Sequence, residues 1–278
     1  MSVTLTAEQI EQYETDGYLT PIRMLPEAET VALRAKLEAF EAKQGGKLEP
    51  IQRSKSHLLF KWLDDLIRDP RVLDPIAQLI GPNIFCWNTL FWIKEAHSPS
   101  FVSWHQDTKY WGLSSDKVLT AWLALSPASH ESGCMRVMPG THVGEVLKHE
   151  DRYHEDNMLT RGQEIYGEID ETRAAHMPLR IGEMSIHNYR LAHASGTNKS
   201  NDRRIGVSMH FLPPETAQIV SDWDSAALVR GEDLYGNFAH TPVPSGDLDE
   251  VAVEFHAKAA QGIQEIVYAG AERNTAKL

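Results

Sequence analysis

The stretch SWHQDTKYWGL, residues 103–113, places a histidine and an aspartate one residue apart within an aromatic-rich run. His105 and Asp107 end the alternating segment FVSWHQD. Alternate residues of a strand point to the same side, so positions 101, 103, 105 and 107 are predicted to share one face. Two donors at i and i+2 on one strand face can reach a single metal ion. This segment is therefore the candidate metal-binding motif.

The chain contains two further H-x-D pairs, His149 with Asp151 and His154 with Asp156. Both lie in LKHEDRYHEDNM, where charged residues surround them and no strand pattern is visible. A stretch without periodicity and with high polarity is typical of a solvated loop. These two pairs are not expected to bind metal.

The sequence before the motif is predicted to be mainly helical over residues 1–82. Thr6 and Gln9 fit a capping box at the start of one helix. Pro26 suits the first position of a second helix, and Gly45 with Gly46 suits its end. Two shorter helical segments, FKWLDDLIRD and LDPIAQLIG, follow.

From residue 83 onward, the sequence pattern predicts β-strands. The segments IFCWNTLFWIKE, LTAWLALS, CMRVMPGTH, MSIHNYRLAH and RRIGVSMHFLP are separated by Gly, Pro, Ser and Asn clusters. Helices followed by a run of strands predict a mainly β fold, a sandwich or jelly roll with a helical layer packed on it. We expect one domain over 1–278, with the jelly-roll core at 83–214 and a C-terminal extension at 215–278. The long polar loop 144–183 is predicted to be a lid over the site.

The composition indicates which classes of binding partner the protein is expected to have. The net charge of −12 argues against nucleic acid and anionic membranes, which both attract positive charge. The two cysteines, Cys86 and Cys134, form no C-x-x-C and lie in apolar runs, so buried free thiols are expected. No secretory signal or membrane-spanning run is visible, so the predicted location is cytoplasmic and the predicted partner a small molecule. The oligomeric state is not predicted.

A metal held by His105 and Asp107 needs a third protein ligand. His187 and His193, in IHNYRLAHASGTNKSNDRRIG, are both available. Two histidines and one carboxylate on one face of an octahedron leave the opposite face open, which suits ferrous iron in oxygen chemistry. A structural zinc site would want a fourth ligand, preferably sulfur, and none is suggested.

The combination of WHQD with HASGTNKSNDRR resembles the phytanoyl-CoA dioxygenase family of iron(II)- and 2-oxoglutarate-dependent oxygenases. The family pattern is H-x-D, then a distal histidine, a serine two residues on, an Asn-x-Ser turn and an arginine eleven residues after the histidine. Here those positions are His193, Ser195, Asn198 with Ser200, and Arg204. The resemblance extends to about residue 214 and implies a double-stranded β-helix, the jelly-roll core, packed by the N-terminal helices.

The resemblance implies a set of ligands. His105, Asp107 and His193 would bind Fe(II) and act as the catalytic centre. Arg204 and Ser195 would bind the far carboxylate of the cosubstrate 2-oxoglutarate, while the adjacent Arg203 would point to the opposite side of its strand. Trp122 matches a position that lines the cosubstrate pocket in the family, and the alternative is a packed core tryptophan. Asn88 is expected either to contact the cosubstrate or to make a structural hydrogen bond.

The implied reaction consumes O2 and 2-oxoglutarate, releases succinate and CO2, and hydroxylates an unactivated C–H bond. Relatives that halogenate carry a small residue in place of the carboxylate, and this chain keeps Asp107, so a hydroxylase and not a halogenase is expected. Two alternatives remain open: a metal-binding jelly-roll protein without turnover, and a cupin-like metal-dependent hydrolase or isomerase that does not use 2-oxoglutarate.

Substrate contacts are the least defined part of the sequence reading. The residues after the motif, Lys109, Tyr110 and Trp111, and the lid residues Asn157 and Arg161 are candidates to face the substrate. A lid with charges of both signs suits a small polar metabolite, such as a zwitterionic amino acid derivative or an aminophosphonate.

Overall fold

The structure, a computed structural model, describes residues 3–167 and 169–272. Residues 1–2, 168 and 273–278 of the predicted domain lie outside the described residues. The helices are α1 (Ala7–Asp16), α2 (Glu27–Gln44), α3 (Pro50–Arg53), α4 (Lys61–Ile67), α5 (Pro70–Ile80), α6 (Thr108–Trp111) and α7 (Glu250–Val267), with 3-10 turns at Ser56–Leu58 and Glu171–Arg173. The strands are β1 (Tyr18–Arg23), β2 (Ile84–Lys94), β3 (Val102–His105), β4 (Leu119–Ala124), β5 (Met135–Val137), β6 (His149–Asp151), β7 (Gln163–Ile165), β8 (Ala175–Met177), β9 (Glu183–Asn188), β10 (His193–Ser195), β11 (Arg204–Leu212), β12 (Ser225–Arg230) and β13 (Ala239–His240).

Two sheets form the core of the fold. The larger has seven strands in the order β1-β9-β4-β11-β2-β12-β13, and the smaller has four in the order β3-β10-β5-β8. Except for the parallel β12–β13 pair, neighbouring strands run antiparallel. This architecture, with helices on the larger sheet, confirms the predicted jelly-roll fold class.

The sequence of β11 explains how the larger sheet separates a core from a cavity. Ile205, Val207, Met209 and Phe211 belong to the hydrophobic cluster shared with the N-terminal helices. The alternate residues, Arg204, Gly206, Ser208 and His210, lie on the other side of the strand, because successive side chains of a strand point to opposite faces. Three of these four, all except Gly206, line a cavity.

Two of the predicted helix boundaries are confirmed, and a third differs by one residue. Thr6 and Gln9 make the predicted capping box, with the Gln9 amide donating to Thr6 Oγ1 over 3.2 Å. Gly45 ends α2 in the left-handed region at φ 78°. Pro26 is the N-cap of α2 and not its first helical residue.

The sheet extends beyond the predicted core range on both sides. β1, within the region predicted to be helical, pairs with β9, and β12, within the predicted C-terminal extension, pairs with β2. The segment GYLTPIR contains a proline, which suits an edge strand, and β1 is at the sheet edge. Among the helices of the described residues, none combines the length and apolar character needed to cross a membrane.

Candidate active site

His105, Asp107 and His193 converge between the two sheets. Each offers one donor atom, and these atoms lie within 4.8 Å of one another. His105 Nε2 is 3.3 Å from Asp107 Oδ1, and His193 Nε2 is 4.0 Å from Asp107 Oδ2. The cross-strand pairing of His193 with His105, on β10 and β3, holds the two rings together. Of the two candidate third ligands, the structure therefore brings His193 to the motif.

Asp107 does not lie on the strand that the sequence predicts for it. β3 ends at His105, and Asp107 lies in the following turn as the N-cap of α6 with helical backbone angles. Gln106, between the two residues, is 1% exposed, and its side chain is held by hydrogen bonds. Its amide nitrogen donates to the Arg190 carbonyl over 2.6 Å, and its Oε1 accepts from the Leu147 amide over 2.8 Å. The carboxylate thus reaches the histidines from a turn instead of from the strand face.

Hydrogen bonds orient the two histidine rings so that Nε2 of each is free to bind a metal. Nδ1 of His105 lies 2.9 Å from the Ser103 carbonyl, and Nδ1 of His193 lies 2.9 Å from the Leu191 carbonyl. A ring nitrogen that faces a carbonyl must carry the proton, which leaves the lone pair on Nε2. Burial lowers the pKa of both histidines to about 4, so both rings are neutral near pH 7.

Asp107 is the group that a bound cation would stabilise. Burial raises the pKa of its carboxyl to about 6, while His193 lowers it. A buried carboxylate without a nearby positive charge is costly, and a divalent ion supplies that charge. Two neutral imidazoles and one carboxylate therefore fit iron(II), and the three donors leave further coordination positions open.

His149 has a different environment from the solvated loop that the sequence predicted. Its Nε2 accepts a hydrogen bond from the Gln106 backbone amide over 3.0 Å. Its ring also contacts the edge of Tyr110, with centroids 5.6 Å apart. His149 thereby supports the peptide between the two candidate ligands. Nothing local in the sequence signals this contact, because the two residues are 43 positions apart.

Arg204 lies in the same cavity as the three donors. Its Nη1 donates to the Gly133 carbonyl over 3.2 Å, and its buried Nε has no hydrogen-bond partner among the described residues. Burial lowers its pKa to about 10, so the guanidinium stays charged at neutral pH. A buried cation with an unused donor fits a carboxylate ligand, since buried polar groups are normally paired. The neighbouring Arg203 faces away and pairs with Glu41, as strand alternation predicts.

Lys94 is a further buried basic residue next to the site, and it was not predicted from the sequence. It is the register partner of Arg204 and is fully buried. Its Nζ donates to Ser195 Oγ over 2.7 Å and also contacts the Gly196 carbonyl. Burial lowers its pKa to about 6, with Arg204 adding to the effect. Because Ser195 Oγ accepts from Lys94, its own hydrogen remains available to a ligand in the cavity. The signal in the sequence was a lysine ending the apolar run LFWIK.

Trp122 also lines the cavity, and its position depends on a glycine. The Arg204 guanidinium carbon lies 5.4 Å from the centre of the Trp122 ring. A Cβ added to Gly206 would lie 1.8 Å from Trp122 Cζ2. The indole therefore occupies the space of a missing side chain on the adjacent strand.

We expect Gly206→Ala to displace Trp122 and to weaken 2-oxoglutarate binding. Overpacking of this kind costs roughly 1–3 kcal/mol, so the melting temperature should fall and the KM for 2-oxoglutarate should rise. Gly246→Ala is the matched control, because no atom lies within 4 Å of its added Cβ. An unchanged KM in Gly206→Ala, with the protein folded, would contradict this role for Trp122.

A row of polar side chains crosses the cavity face of the larger sheet. Asn88, His210, Thr120 and His187 are successive register partners on four neighbouring strands. Among the described residues, His210 Nδ1, the Thr120 hydroxyl and both ring nitrogens of His187 are buried without a hydrogen-bond partner. Asn88 Oδ1 accepts from Ser54 Oγ and the Lys55 amide, which is the structural role that the sequence left open. The row offers hydrogen bonds to a molecule or water in the cavity.

The other walls of the cavity are largely apolar and aromatic. Tyr110 and Trp111, two of the candidate substrate residues, line it. The segment 144–183 contributes Met158 and Leu159, and α7 contributes Ile263 and Val267. In the sequence, Met158 and Leu159 are recognisable only as an apolar pair within the polar loop 144–183. No feature of the sequence pointed α7 at the site.

The structure does not place the other predicted substrate residues at this cavity. Lys109 is exposed, and the Asn157 amide donates to Ser103 Oγ over 2.8 Å. Arg161 pairs with Asp151 through its Nε over 2.8 Å and donates to the Ala269 carbonyl near the end of α7. Their charged or polar groups are engaged elsewhere in the fold or in contact with solvent.

A comparison with known protein families covers most of these site residues. A model of the phytanoyl-CoA dioxygenase family matches residues 13–206, a segment that contains the three donors, Lys94 and Arg204. The chain belongs to this family. Iron(II), 2-oxoglutarate and O2, the predicted cofactor and cosubstrates, are those of the family. The match ends before β12 and α7, so part of the cavity wall comes from outside the family segment.

Individual relatives agree with the family. The chain is 29% identical to a probable alpha-ketoglutarate-dependent hypophosphite dioxygenase of Stutzerimonas stutzeri, over 59% of this chain and 58% of that protein. It is 28% identical to the peroxisomal phytanoyl-CoA dioxygenase of Homo sapiens, over 74% of this chain and 68% of that protein. Among solved structures, the apo form of the non-heme monooxygenase ThoJ superposes with a TM-score of 0.83 at 31% identity, covering 93% of this chain and 97% of ThoJ.

Proposed function

We propose that this protein is an Fe(II)- and 2-oxoglutarate-dependent dioxygenase that hydroxylates an unactivated C–H bond of a small molecule. The observation that carries the proposal is the shared cavity of His105, Asp107, His193 and Arg204. It combines a metal donor set with a buried guanidinium whose Nε has no partner among the described residues.

Each residue has a defined part in this proposal. His105 and His193 bind iron through Nε2, and the Ser103 and Leu191 carbonyls fix their rings. Asp107 supplies the negative charge, and Arg204 with the Ser195 hydroxyl binds the far carboxylate of 2-oxoglutarate. Iron(II) and 2-oxoglutarate held by these residues would supply the activation of O2 for C–H oxidation, with succinate and CO2 as by-products. Trp111, Tyr110 and the α7 side chains limit the access of water to the reacting centre.

The alternatives, a binding protein without turnover and a cupin-like hydrolase or isomerase, are not favoured. Neither has a use for a buried arginine in the cavity of the three donors. Membership of an oxygenase family also argues against both.

The cavity suggests a more specific substrate than a generic polar metabolite. Its walls carry Trp87, Trp111, Met158 and Ile263, which suit an apolar or aromatic body. Arg53 lines the same cavity, and its buried Nε has no hydrogen-bond partner among the described residues. We therefore propose a substrate with an apolar body and one acidic group, a carboxylate or phosphonate, that pairs with Arg53.

The test is a panel of small aromatic and aliphatic acids beside their amides or methyl esters. Substrate-stimulated succinate release identifies active members, and 18O2 labelling of the product distinguishes hydroxylation from other oxidations. We expect Arg53→Gln to raise the KM for an active acid roughly 10- to 100-fold, the value of a hydrogen-bonded charge, and to affect its neutral analogue little.

Lys109→Gln is the matched control, since it removes a nearby cation that is exposed and does not line the cavity. It should leave the KM for the acid unchanged. A rise in the KM for 2-oxoglutarate alone in Arg53→Gln would contradict the assignment and place Arg53 with the cosubstrate.

A further inference from the structure

A second group of metal-binding side chains lies apart from the three donors described above. His130, Cys134 and His176 each offer one donor atom, and these atoms lie within 4.8 Å of one another. Cys134 Sγ is 3.9 Å from His176 Nδ1, and the His130 and His176 ring centroids are 4.7 Å apart. In the described part of the chain, this group and the active-site group are the two that meet the same distance condition.

The distances suit one small ion. Zinc holds sulfur at about 2.3 Å and imidazole nitrogen at about 2.0–2.1 Å, which places tetrahedral donors roughly 3.5 Å apart. The Cys134 to His176 separation is already close to that value. His130 and His176 are exposed, so rotation of their side chains can close the rest without disturbing the core.

The protein holds this group on a fixed support. His130 and Cys134 belong to one turn, which is closed by a hydrogen bond from the Cys134 amide to the Ser129 carbonyl over 2.9 Å. His176 lies on β8, paired with Arg136 of the adjacent β5. Arg136 is a nearby positive charge that opposes a cation, but its guanidinium contacts the Glu171 carboxylate. The local charge therefore does not exclude a divalent ion.

We propose that His130, Cys134 and His176 form a second metal site that takes a thiophilic divalent ion, with zinc as the expected occupant. One thiolate and two imidazoles are ligands that zinc prefers and that iron(II) in the active site does not need. Three protein ligands leave a fourth position for water.

The site is connected to the cosubstrate pocket. Gly133, which precedes Cys134, accepts the hydrogen bond of Arg204 through its carbonyl. A Cβ on Gly133 would lie 2.3 Å from the Gly196 carbonyl oxygen, so the turn packs tightly against the segment after His193. An ion bound to Cys134 would fix the turn that holds Arg204, and zinc is thus expected to change the KM for 2-oxoglutarate.

Cobalt(II) is a spectroscopic probe for such a site, since thiolate ligation gives a charge-transfer absorption that nitrogen and oxygen ligands do not. Titrated into the reduced full-length protein, it should produce this band in the wild type and in Cys86→Ser, which removes the other buried thiol. The band should be absent from Cys134→Ser, and the number of cobalt ions bound should fall by one.

His130→Ala and His176→Ala keep the test decisive if Cys134→Ser folds poorly, because both side chains are exposed. Each should weaken cobalt binding at this site by more than the roughly 10- to 100-fold that loss of an outer-shell partner costs a metal site. The proposal is overturned by a wild type without the band, or by a band that persists in Cys134→Ser. A band whose strength per chain rises with protein concentration would also overturn it, because the ion would then join two chains.

Discussion

Asp107→Ala should lose iron(II) binding and 2-oxoglutarate turnover together. The two remaining histidines are neutral, so the variant has no negative charge to balance the ion. We expect iron affinity to fall by more than about 100-fold, the upper end of what loss of an outer-shell partner costs a metal site. Succinate release should fall at least as far. Iron titration under anaerobic conditions and a succinate assay measure the two effects separately.

The chain provides a matched control in its other H-x-D pairs. Asp156 follows His154 with the same spacing, but neither residue lines the cavity. Asp156→Ala should therefore bind iron and release succinate as the wild type does. Wild-type iron affinity in Asp107→Ala would show that the metal is held elsewhere and would refute the assignment of the three ligands.

Arg204→Met should raise the KM for 2-oxoglutarate by about 30-fold or more. Truncating one partner of a buried, hydrogen-bonded charge pair costs roughly 2–5 kcal/mol, and the carboxylate would lose its main partner in the cavity. Arg204→Lys should recover part of the loss, since an ammonium keeps the charge but cannot make two parallel hydrogen bonds. Steady-state kinetics with 2-oxoglutarate varied give the KM, and iron affinity should change little in either variant.

Arg203→Met is the control for Arg204→Met, because it removes the same charge from the adjacent position, which does not face the cavity. This neighbour faces the helical layer and pairs with Glu41 and Glu95. Its replacement should lower the melting temperature, because Glu41 is 6% exposed and would lose its partner, but it should leave the KM for 2-oxoglutarate unchanged. Equal effects of the two arginine variants on that KM would contradict an inward role confined to Arg204.

The inward direction of Arg204 could be predicted from the sequence because strand alternation is a short-range rule. The alternation of β11 sends Arg204 to the cavity and Arg203 to the helices, as strand periodicity requires. The exception is Asp107, because β3 ends at His105 and the side chain of the next residue, Gln106, bonds to the Arg190 carbonyl and the Leu147 amide. Those hydrogen bonds link residues far apart in sequence, so no local pattern contains them.

The cavity walls could not be predicted in the same way. Met158 and Leu159 line it while their polar neighbours Asn157 and Arg161 do not, and the direction of each side chain is set by long-range contacts. The Asp151 carboxylate, for example, pairs with Arg161, which a sequence alone presents as an available charge. Likewise, the sequence predicts only a buried thiol at Cys134, because His176 approaches it from a strand more than 40 residues along the chain.

The position of α7 has a consequence for how such an enzyme changes over generations. Ile263 and Val267 reach the cavity from a helix that begins at Glu250, whereas the family segment ends at residue 206. The proposed metal ligands and this part of the cavity wall are therefore encoded in separable stretches of the gene. Substitutions in the C-terminal stretch can therefore change the shape of the cavity without replacing His105, Asp107, His193 or Arg204.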